Sequence, residues 1–263
     1  MDAVLDMLQA KGIETQENSM TSDAAVIWSV LWHGRMRANQ AVYQHYRSLG
    51  RPVIVLEIGA LYRGHTWKVA VNNITADGYY GHRENLDPDR PRRLGVSVAK
   101  QFDSKPHIVM ALQHGRSEQV AAMGNMADWV HFSIDRLRQF TDRPIVVRPH
   151  PRFPVALGAL PKNTVIQQPR AIVNSYDSFD MHFDCHAVIN YNSGPGIQAA
   201  ISGVRPIVDQ SSLAYPVSIS MANIEQPYDV DRAQWLIEIC HTEYTLDELR
   251  QGLWLKRIET ALA

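Results

Sequence analysis

The chain has only two cysteines, Cys185 and Cys240, far apart and in no Cys-x-x-Cys spacing. That excludes a disulfide framework and a zinc knuckle, and both residues read as buried thiols. No apolar run approaches the ~18 residues of a membrane span. The start, Met1-Asp2-Ala3-Val4-Leu5-Asp6, lacks the basic region and apolar core of a signal peptide, so a cytoplasmic location is expected. Net charge is nearly absent, with 26 Lys and Arg against 27 Asp and Glu. There is then no global argument for a polyanionic partner, and only a local basic face could supply one. There is no Asp-x-Asp at a strand end, so no metal is expected. The lysine of a P-loop and the spacing of a dinucleotide fingerprint are missing too, which leaves neither a P-loop NTPase nor an NAD enzyme supported.

What is there is an alternation. The 263 residues, 45% hydrophobic, suffice for two compact units of roughly 100 to 150 residues each. Apolar runs of strand length alternate with stretches of helical period, the pattern of a parallel sheet wrapped by helices. A first series places strands at 24–31 and 52–57 around a helix at 37–49. Residues 63–100, rich in Asn, Gly, Pro and Arg, read as irregular. A second series places strands at 107–112, 144–148, 164–166, 186–190 and 205–208, with helices near 125–140, 171–180 and 195–202. The tail is helical over 231–240 and 245–262, with Thr245-Leu246-Asp247-Glu248 as a capping box. The expected fold is α/β, two Rossmann-like halves in a GT-B arrangement. Residues 1–104 would form the acceptor-side half and 105–240 the nucleotide-sugar half, with 241–263 a C-terminal helix packing back across both.

Two motifs suggest chemistry. The strand Val146-Val147-Arg148 ends in Pro149-His150-Pro151, where two prolines fix the turn and hold an imidazole at the sheet edge. With Arg148, His150 would supply charge and hydrogen bonds to a phosphate. Some forty residues on, Asn192-Ser193-Gly194-Pro195-Gly196 leads from an apolar strand into a helix. The helix's unpaired amides, its dipole and the Ser193 hydroxyl favour an anion there. A tight turn with Ser193 as a plain helix cap is the competing reading. Glu57 ends its strand before Gly59 and is placed as a general base, or else as a cap or a partner of Arg63; Asp23 and Asp77 are less well placed. Gln113 in Gln113-His114-Gly115-Arg116 would line the nucleotide pocket, with Gly194, Gly196 and Gln198 on the donor side. Trp32 and Arg35 would meet the acceptor. Arg63, Trp67 and Tyr80, in a segment that interleaves Tyr62 and Tyr79 with basic residues, suit stacking on bases or sugars, or domain packing.

In this order the motifs resemble those of metal-independent GT-B glycosyltransferases, above all the bacterial sialyltransferase and capsular Kdo-transferase groups. The resemblance spans roughly residues 24–210. It implies Glu57 before Gly59 as base, His150 before Pro151 on the nucleotide phosphate, and Ser193 on phosphate as well. The segment 56–73 also looks like capsule export proteins of that group. The chain departs from the pattern in being shorter, and in carrying Gln198 where many members have a ribose-binding Glu. A looser resemblance is to short phage glycosyltransferases that decorate hydroxymethylated pyrimidines in DNA. It implies a basic acceptor face, here Arg83, Arg90, Arg92 and Arg93.

The resulting expectation is glycosyl transfer from a nucleotide sugar, UDP-linked or else CMP-linked, with no further cofactor. The favoured acceptor is hydroxymethylated double-stranded DNA, with a surface polysaccharide as the alternative. A non-catalytic nucleotide- or glycan-binding protein is the reading from another class. Oligomeric state is not encoded in any motif.

Overall fold

The computed structural model describes residues 1–100, 105–169 and 183–262, so the helix expected near 171–180 lies outside the described residues. The chain forms two compact units. One comprises Met1–Val96 with Ile237–Ala263, and the other Ser97–Leu236. The sequence-based boundaries at 104 and 240 therefore shift to 96 and 236, and residues 241–263 are assigned to the first unit. The reason is a strand in the tail that the sequence pattern had not marked.

The first unit begins with helix α1 (Asp2–Ala10), strand β1 (Ala25–Trp28), helix α2 (Arg37–Ser48), strand β2 (Val53–Ile58), strand β3 (Thr66–Val71) and the short helix α3 (Arg90–Arg93). β1 and β2 are parallel across the α2 crossover, whereas β3 returns antiparallel to β2. The segment 63–100 is thus not uniformly irregular. Thr66 and Lys68 interrupt the apolar run of β3, and this hid a strand whose Trp67, Val69 and Val71 share one face. The α2 side buries Ile27, Val53, Val55 and Ala70 against Tyr43 and Tyr46. The other side buries Ile54, Leu56, Val69 and Val71 against Val4, Met7 and Leu8, which lie at the i, i+3, i+4 spacing of α1.

The second unit is a five-stranded, wholly parallel sheet. Its chain order is β4 (Ile108–Ala111), α4 (Met126–Leu137), β5 (Ile145–Arg148), β6 (Thr164–Ile166), β7 (Ala187–Asn190), α5 (Gly194–Ile201) and β8 (Arg205–Val208). The strand order is β6-β5-β4-β7-β8. Covered on both faces, β4 and β7 are buried at every position, which explains why β4 is wholly apolar and β7 is apolar up to its last residue, Asn190. One face packs Met110, Val147 and Ile189 against Val130, Ile134 and Leu137 of α4. The other packs Val109, Val188 and Ala111 against Ala199 of α5, with Cys185. Asn125 caps α4 by accepting the Ala127 and Asp128 amides at 2.8 and 3.2 Å.

The chain returns through α6 (Ala233–Cys240) to strand β9 (Glu243–Thr245) and helices α7 (Leu246–Gln251) and α8 (Leu253–Ile258). β9 adds antiparallel to β3, making a mixed sheet of order β1-β2-β3-β9. The expected capping box is present at Thr245 and Glu248. The single tail helix is instead two, broken at Gly252, which adopts the left-handed conformation at φ 72°. Both cysteines are buried, and burial pushes each thiol up to about 12. Among the described residues no helix is long and apolar enough to cross a membrane.

In the second unit, Glu225 accepts hydrogen bonds from Arg143 Nε and Nη2 at 2.8 and 2.9 Å and from Thr141 at 2.5 Å. The Arg143 guanidinium, with help from Thr141 and against partial burial, lowers its carboxyl from 4.5 to about 2. A carboxylate with a depressed folded-state value adds stability above the unfolded value and loses it as pH falls through the folded one. Wild type should therefore exceed Glu225→Gln in thermal midpoint at neutral pH, with the gap closing between pH 4.5 and about 2. A gap that stays constant through that range would contradict the assignment.

Candidate functional site

In an open parallel sheet, ligands bind beyond the carboxyl ends of the strands where the order reverses. In the second unit that place lies between β4 and β7, the central pair from which the chain winds outward in both directions. The segments leaving these two strands are Gln113-His114-Gly115 and Tyr191-Asn192-Ser193-Gly194.

They are tied together. Gln113 Nε2 donates to Asn192 Oδ1 at 2.8 Å, and the Asn192 amide donates to Gln113 Oε1 at 3.1 Å. Asn192 Nδ2 donates to Gln119 O at 2.8 Å and to Ser211 Oγ at 2.9 Å, and Ser211 Oγ donates to Asp209 at 2.6 Å. Asn190, the last residue of β7, donates to the Ala111 carbonyl of β4 at 2.8 Å, and its Oδ1 accepts the Ser193 amide at 2.8 Å. The Ser193 hydroxyl meets the Asn190 side chain rather than the helix that it precedes. It is the N-cap by position, yet it makes no side-chain cap bond. The plain-cap reading of Ser193 is thereby corrected, and the first turn of α5 opens with backbone donors and the positive end of its dipole. Asn190 was missed in the sequence, and its signal was an amide side chain closing an otherwise apolar strand; Asn192 was read only as the first residue of the Gly-rich turn.

Gly196 has a different use from the one expected. A Cβ there would lie 2.7 Å from Val208 Cγ1, so the glycine lets α5 pack on β8. Gln198 lies two residues further along α5 and is half-buried.

His150 follows β5 in a tight turn in which the Phe153 amide donates to its carbonyl at 2.9 Å. Its Nδ1 accepts the Arg152 amide at 3.2 Å, which leaves the neutral ring's proton on Nε2 as a donor. His114, after β4, repeats this device by accepting the Arg116 amide at 3.2 Å. The two imidazoles stand edge to face at 5.2 Å, and Phe153 packs on His114 at 4.8 Å. Gly115 is required there because a Cβ would collide with the Phe153 ring.

Arg148 departs from expectation. Ile145 and Val147 point toward α4, so strand alternation turns Arg148 to the opposite face. Its guanidinium lies 6.0 Å from the Phe183 ring centre. Burial first, and then the charge of Arg148, push His107 below its ordinary value, and that residue precedes β4 at the amino edge. Arg148 therefore lies along the flank of the sheet rather than over the carboxyl edge.

In the first unit Glu57 lies on the α2 face near the end of β2, half-buried. Its Oε2 accepts the Ser29 hydroxyl at 2.6 Å, and Oε1 accepts the Ile58 amide at 2.9 Å. Ser29 is held at φ 65°, a costly conformation for a residue with a side chain. Opposite Glu57 across the strands comes Lys68, and opposite Lys68 comes Glu243, a row of three charges on one face. Lys68 is buried. That lowers its ammonium from the ordinary value, with Glu243 and then Glu57 opposing the shift. Glu243 accepts the Ala60 amide at 2.7 Å, the Leu61 amide at 3.1 Å and the Thr66 hydroxyl at 2.7 Å. Gly59 leaves the room for that carboxylate, which a Cβ would strike.

The acceptor-side residues divide. Trp32 is half-buried with its ring 5.4 Å from Tyr43, while Arg35 and Arg63 are exposed. Trp67 points to the α1 face, away from Glu57, and packs into that core. Tyr80 donates to the Thr75 carbonyl at 3.1 Å and packs against the α2-side core. These last two are packing residues rather than an open stacking surface. Asp23 and Asp77 are exposed.

The fold is similar to that of a Kdo transferase. One solved structure of similar fold is Thermosulfurimonas dismutans KpsC, beta Kdo 2,4 transferase, at TM-score 0.52 and 11% identity, over 95% of this chain and 93% of that one. The beta Kdo 2,7 transferase of the same KpsC aligns at TM-score 0.45 and 15% identity over 95% and 88%. No protein-family model matches the chain, and no curated protein matches it by sequence. The first likeness supports the expected fold class, α/β with two Rossmann-like halves of GT-B type. The mixed β2-β3-β9 arrangement is a local departure in the first half.

Among the described residues, no group of three His, Cys, Asp or Glu side chains is placed to hold a metal ion.

Because Gln113 and Asn192 satisfy each other, their removal should be non-additive. Gln113→Leu and Asn192→Ala are each expected to destabilise, and a double-mutant cycle by urea unfolding should give a coupling of about 0.5–3 kcal/mol. Simple additivity would mean that the paired bonds do not hold the two segments together.

Proposed function

We propose that the protein is a glycosyltransferase that moves a sugar from a nucleotide-sugar donor to a hydroxyl of a surface polysaccharide. The observation that carries this reading is the polar turn at the β4–β7 reversal. There a hydrogen-bonded Gln113–Asn192 pair presents the start of α5 to an anion, within a fold similar to a capsular-type transferase. The Gly194 amide, the Ser193 hydroxyl and the α5 dipole would take the donor phosphate, and His150 Nε2 would add a donor that strengthens as negative charge develops. Glu57 would accept the acceptor's proton as its oxygen forms the new bond to the anomeric carbon. The bond from that carbon to phosphate oxygen breaks, and the nucleotide leaves with the electron pair. Ser29 orients the carboxylate, and Lys68 balances its charge.

The polysaccharide acceptor displaces the DNA acceptor favoured on sequence grounds. The DNA reading came from the looser resemblance, carried by the acidic-Gly segment at Glu57 and by the tail residues Arg232 to Trp235 and Trp254, and it required a basic acceptor face of four arginines with the aromatic segment. Arg90 is buried, bonded to Glu248 at 2.7 Å and to the Cys240 and Glu243 carbonyls. Arg92 and Arg93 pair with Asp89 and Asp87, and Arg83 lies 4.0 Å from Glu238. Arg90 is thereby withdrawn from the surface, and the carboxylates beside the other three lower the positive potential that a DNA face requires.

Two variants test the roles separately. In a thermal-shift screen against UDP, CMP, GDP, ADP and their sugar conjugates, one nucleotide class should stabilise the protein. His150→Ala should weaken that binding by about 10- to 100-fold, the loss of one charge-assisted hydrogen bond. Glu57→Gln should bind the nucleotide unchanged and lose transfer by about 10²- to 10⁴-fold. Stabilisation by no nucleotide would end the reading, and full transfer by Glu57→Gln would remove that residue from it.

A further inference from the structure

After β8, where a doubly wound sheet commonly continues into a covering helix, residues 209–232 carry two 3-10 turns, Tyr215–Val217 and Met221–Asn223. Between this segment and α4, above the ends of β7 and β8, lies a cavity of about 650 Å³. That volume falls within the range of roughly 300–1,000 Å³ usual for small-molecule sites.

Its lining is unusual for this chain. Tyr62, Phe132, Phe140 and Tyr215 are the exposed large aromatic side chains among the described residues, and the last three all border this cavity. Trp129 and Tyr191 stand deeper, edge to face at 6.1 Å. Polar groups are interleaved with the rings: the Asp209 carboxylate, the hydroxyls of Ser218 and Ser220, and Arg136. Both hydrogen bonds that Asp209 receives from Ser211 fall on Oδ1. Burial, followed by the charge of Asp209, raises the Tyr191 phenol above its ordinary value, so that carboxylate lies close to the aromatic wall.

Aromatic faces alternating with carboxylate and hydroxyl groups match the chemistry of a sugar ring, which has apolar C–H faces and a polar edge. We propose that this cavity is a saccharide-binding site of the second unit. Sugar rings lie on Trp129 and Tyr215, and their hydroxyls bond to Asp209 and the serines. An apolar helix from a partner would bury those polar groups without partners, at a cost of a few kcal/mol. The cavity adjoins the phosphate turn: Asn190 and Tyr191 border it, and Asp209 is joined through Ser211 and Asn192 to Gln113. The proposal goes beyond the transfer reading, since the cavity would hold a glycan whether or not the chain transfers sugar.

The full chain, with its six tryptophans replaced by fluorotryptophan, allows a direct test by fluorine NMR, with Trp129 assigned from Trp129→Phe. The probes are chitotriose, maltotriose and an oligosialic acid trimer, with UMP and CMP as the nucleotide arm. At least one saccharide should shift the Trp129 resonance saturably, and neither nucleotide should. Tyr215→Ala, at a position 52% exposed and so tolerant of truncation, should weaken that saccharide about tenfold or more while leaving the thermal midpoint near wild type. The proposal is overturned if no saccharide moves the resonance, if a nucleotide moves it instead, or if Tyr215→Ala binds as tightly as wild type. It is also overturned if the resonance shifts with protein concentration alone and Phe132→Ser abolishes that shift, which would make a second copy of the chain the occupant. Saccharide binding without transfer would leave the proposal intact and count only against the catalytic reading.

Discussion

The paired amide bonds between Gln113 and Asn192 set the geometry on which the second unit's site depends. A wholly parallel sheet leaves its strand-end loops without ladder partners at the reversal point. Backbone groups there must be satisfied by side chains or remain available to a ligand. Gln113 and Asn192 take up one another and, through Ser211 and Gln119, the neighbouring loops. Asn190 does the same for the Ala111 carbonyl and the Ser193 amide. With those claims met, the start of α5 carries no side-chain cap, and under the proposed function its backbone donors would meet an anion already in place rather than in a loop that must first be ordered.

The first unit solves an opposite problem, the placing of charge inside a sheet. Lys68 is buried between two carboxylates, and the desolvation it suffers is offset by their field and not by a single close ion pair. Glu243 is fully buried and takes two backbone amides and a hydroxyl, so it fixes the turn at 59–61 that follows Glu57. The acidic-Gly signature is therefore explained twice over. Its glycine exists to admit Glu243, and its glutamate is oriented by a strained Ser29.

Much of the second unit was legible because buried parallel strands are continuously apolar and their helices carry clear periods. β4, β5, β7 and the entry to α5 could be read to within a residue or two. The first unit was harder. β3 carries a lysine inward, against every expectation for a core position, and β9 is three residues long and paired only through contacts far away in sequence. His150 and Ser193 were visible as turn residues, whereas the roles of Asn190 and Asn192 depend on which strands become neighbours. Arg148 and Trp67 were misread for one shared reason. Alternation decides which face of a strand a side chain serves, and the face is known only once its neighbours are seen to be buried. Arg83 and Arg90 looked like part of a cationic surface because their carboxylate partners, Glu238 and Glu248, are distant in sequence, whereas the partners of Arg92 and Arg93 stand beside them at Asp89 and Asp87.

One consequence concerns synthesis on the ribosome. β9 lies at residues 243–245, yet it closes the edge of a sheet whose other strands are complete by residue 71. Until the last turns of the chain emerge, β3 shows a bare edge and Lys68 lacks the deeper of its two counter-charges. Among the described residues, the strands of the second unit all lie between 108 and 208. The first unit is thus begun before the second and completed only after it, so its sheet stays open at one edge while the second unit is being made.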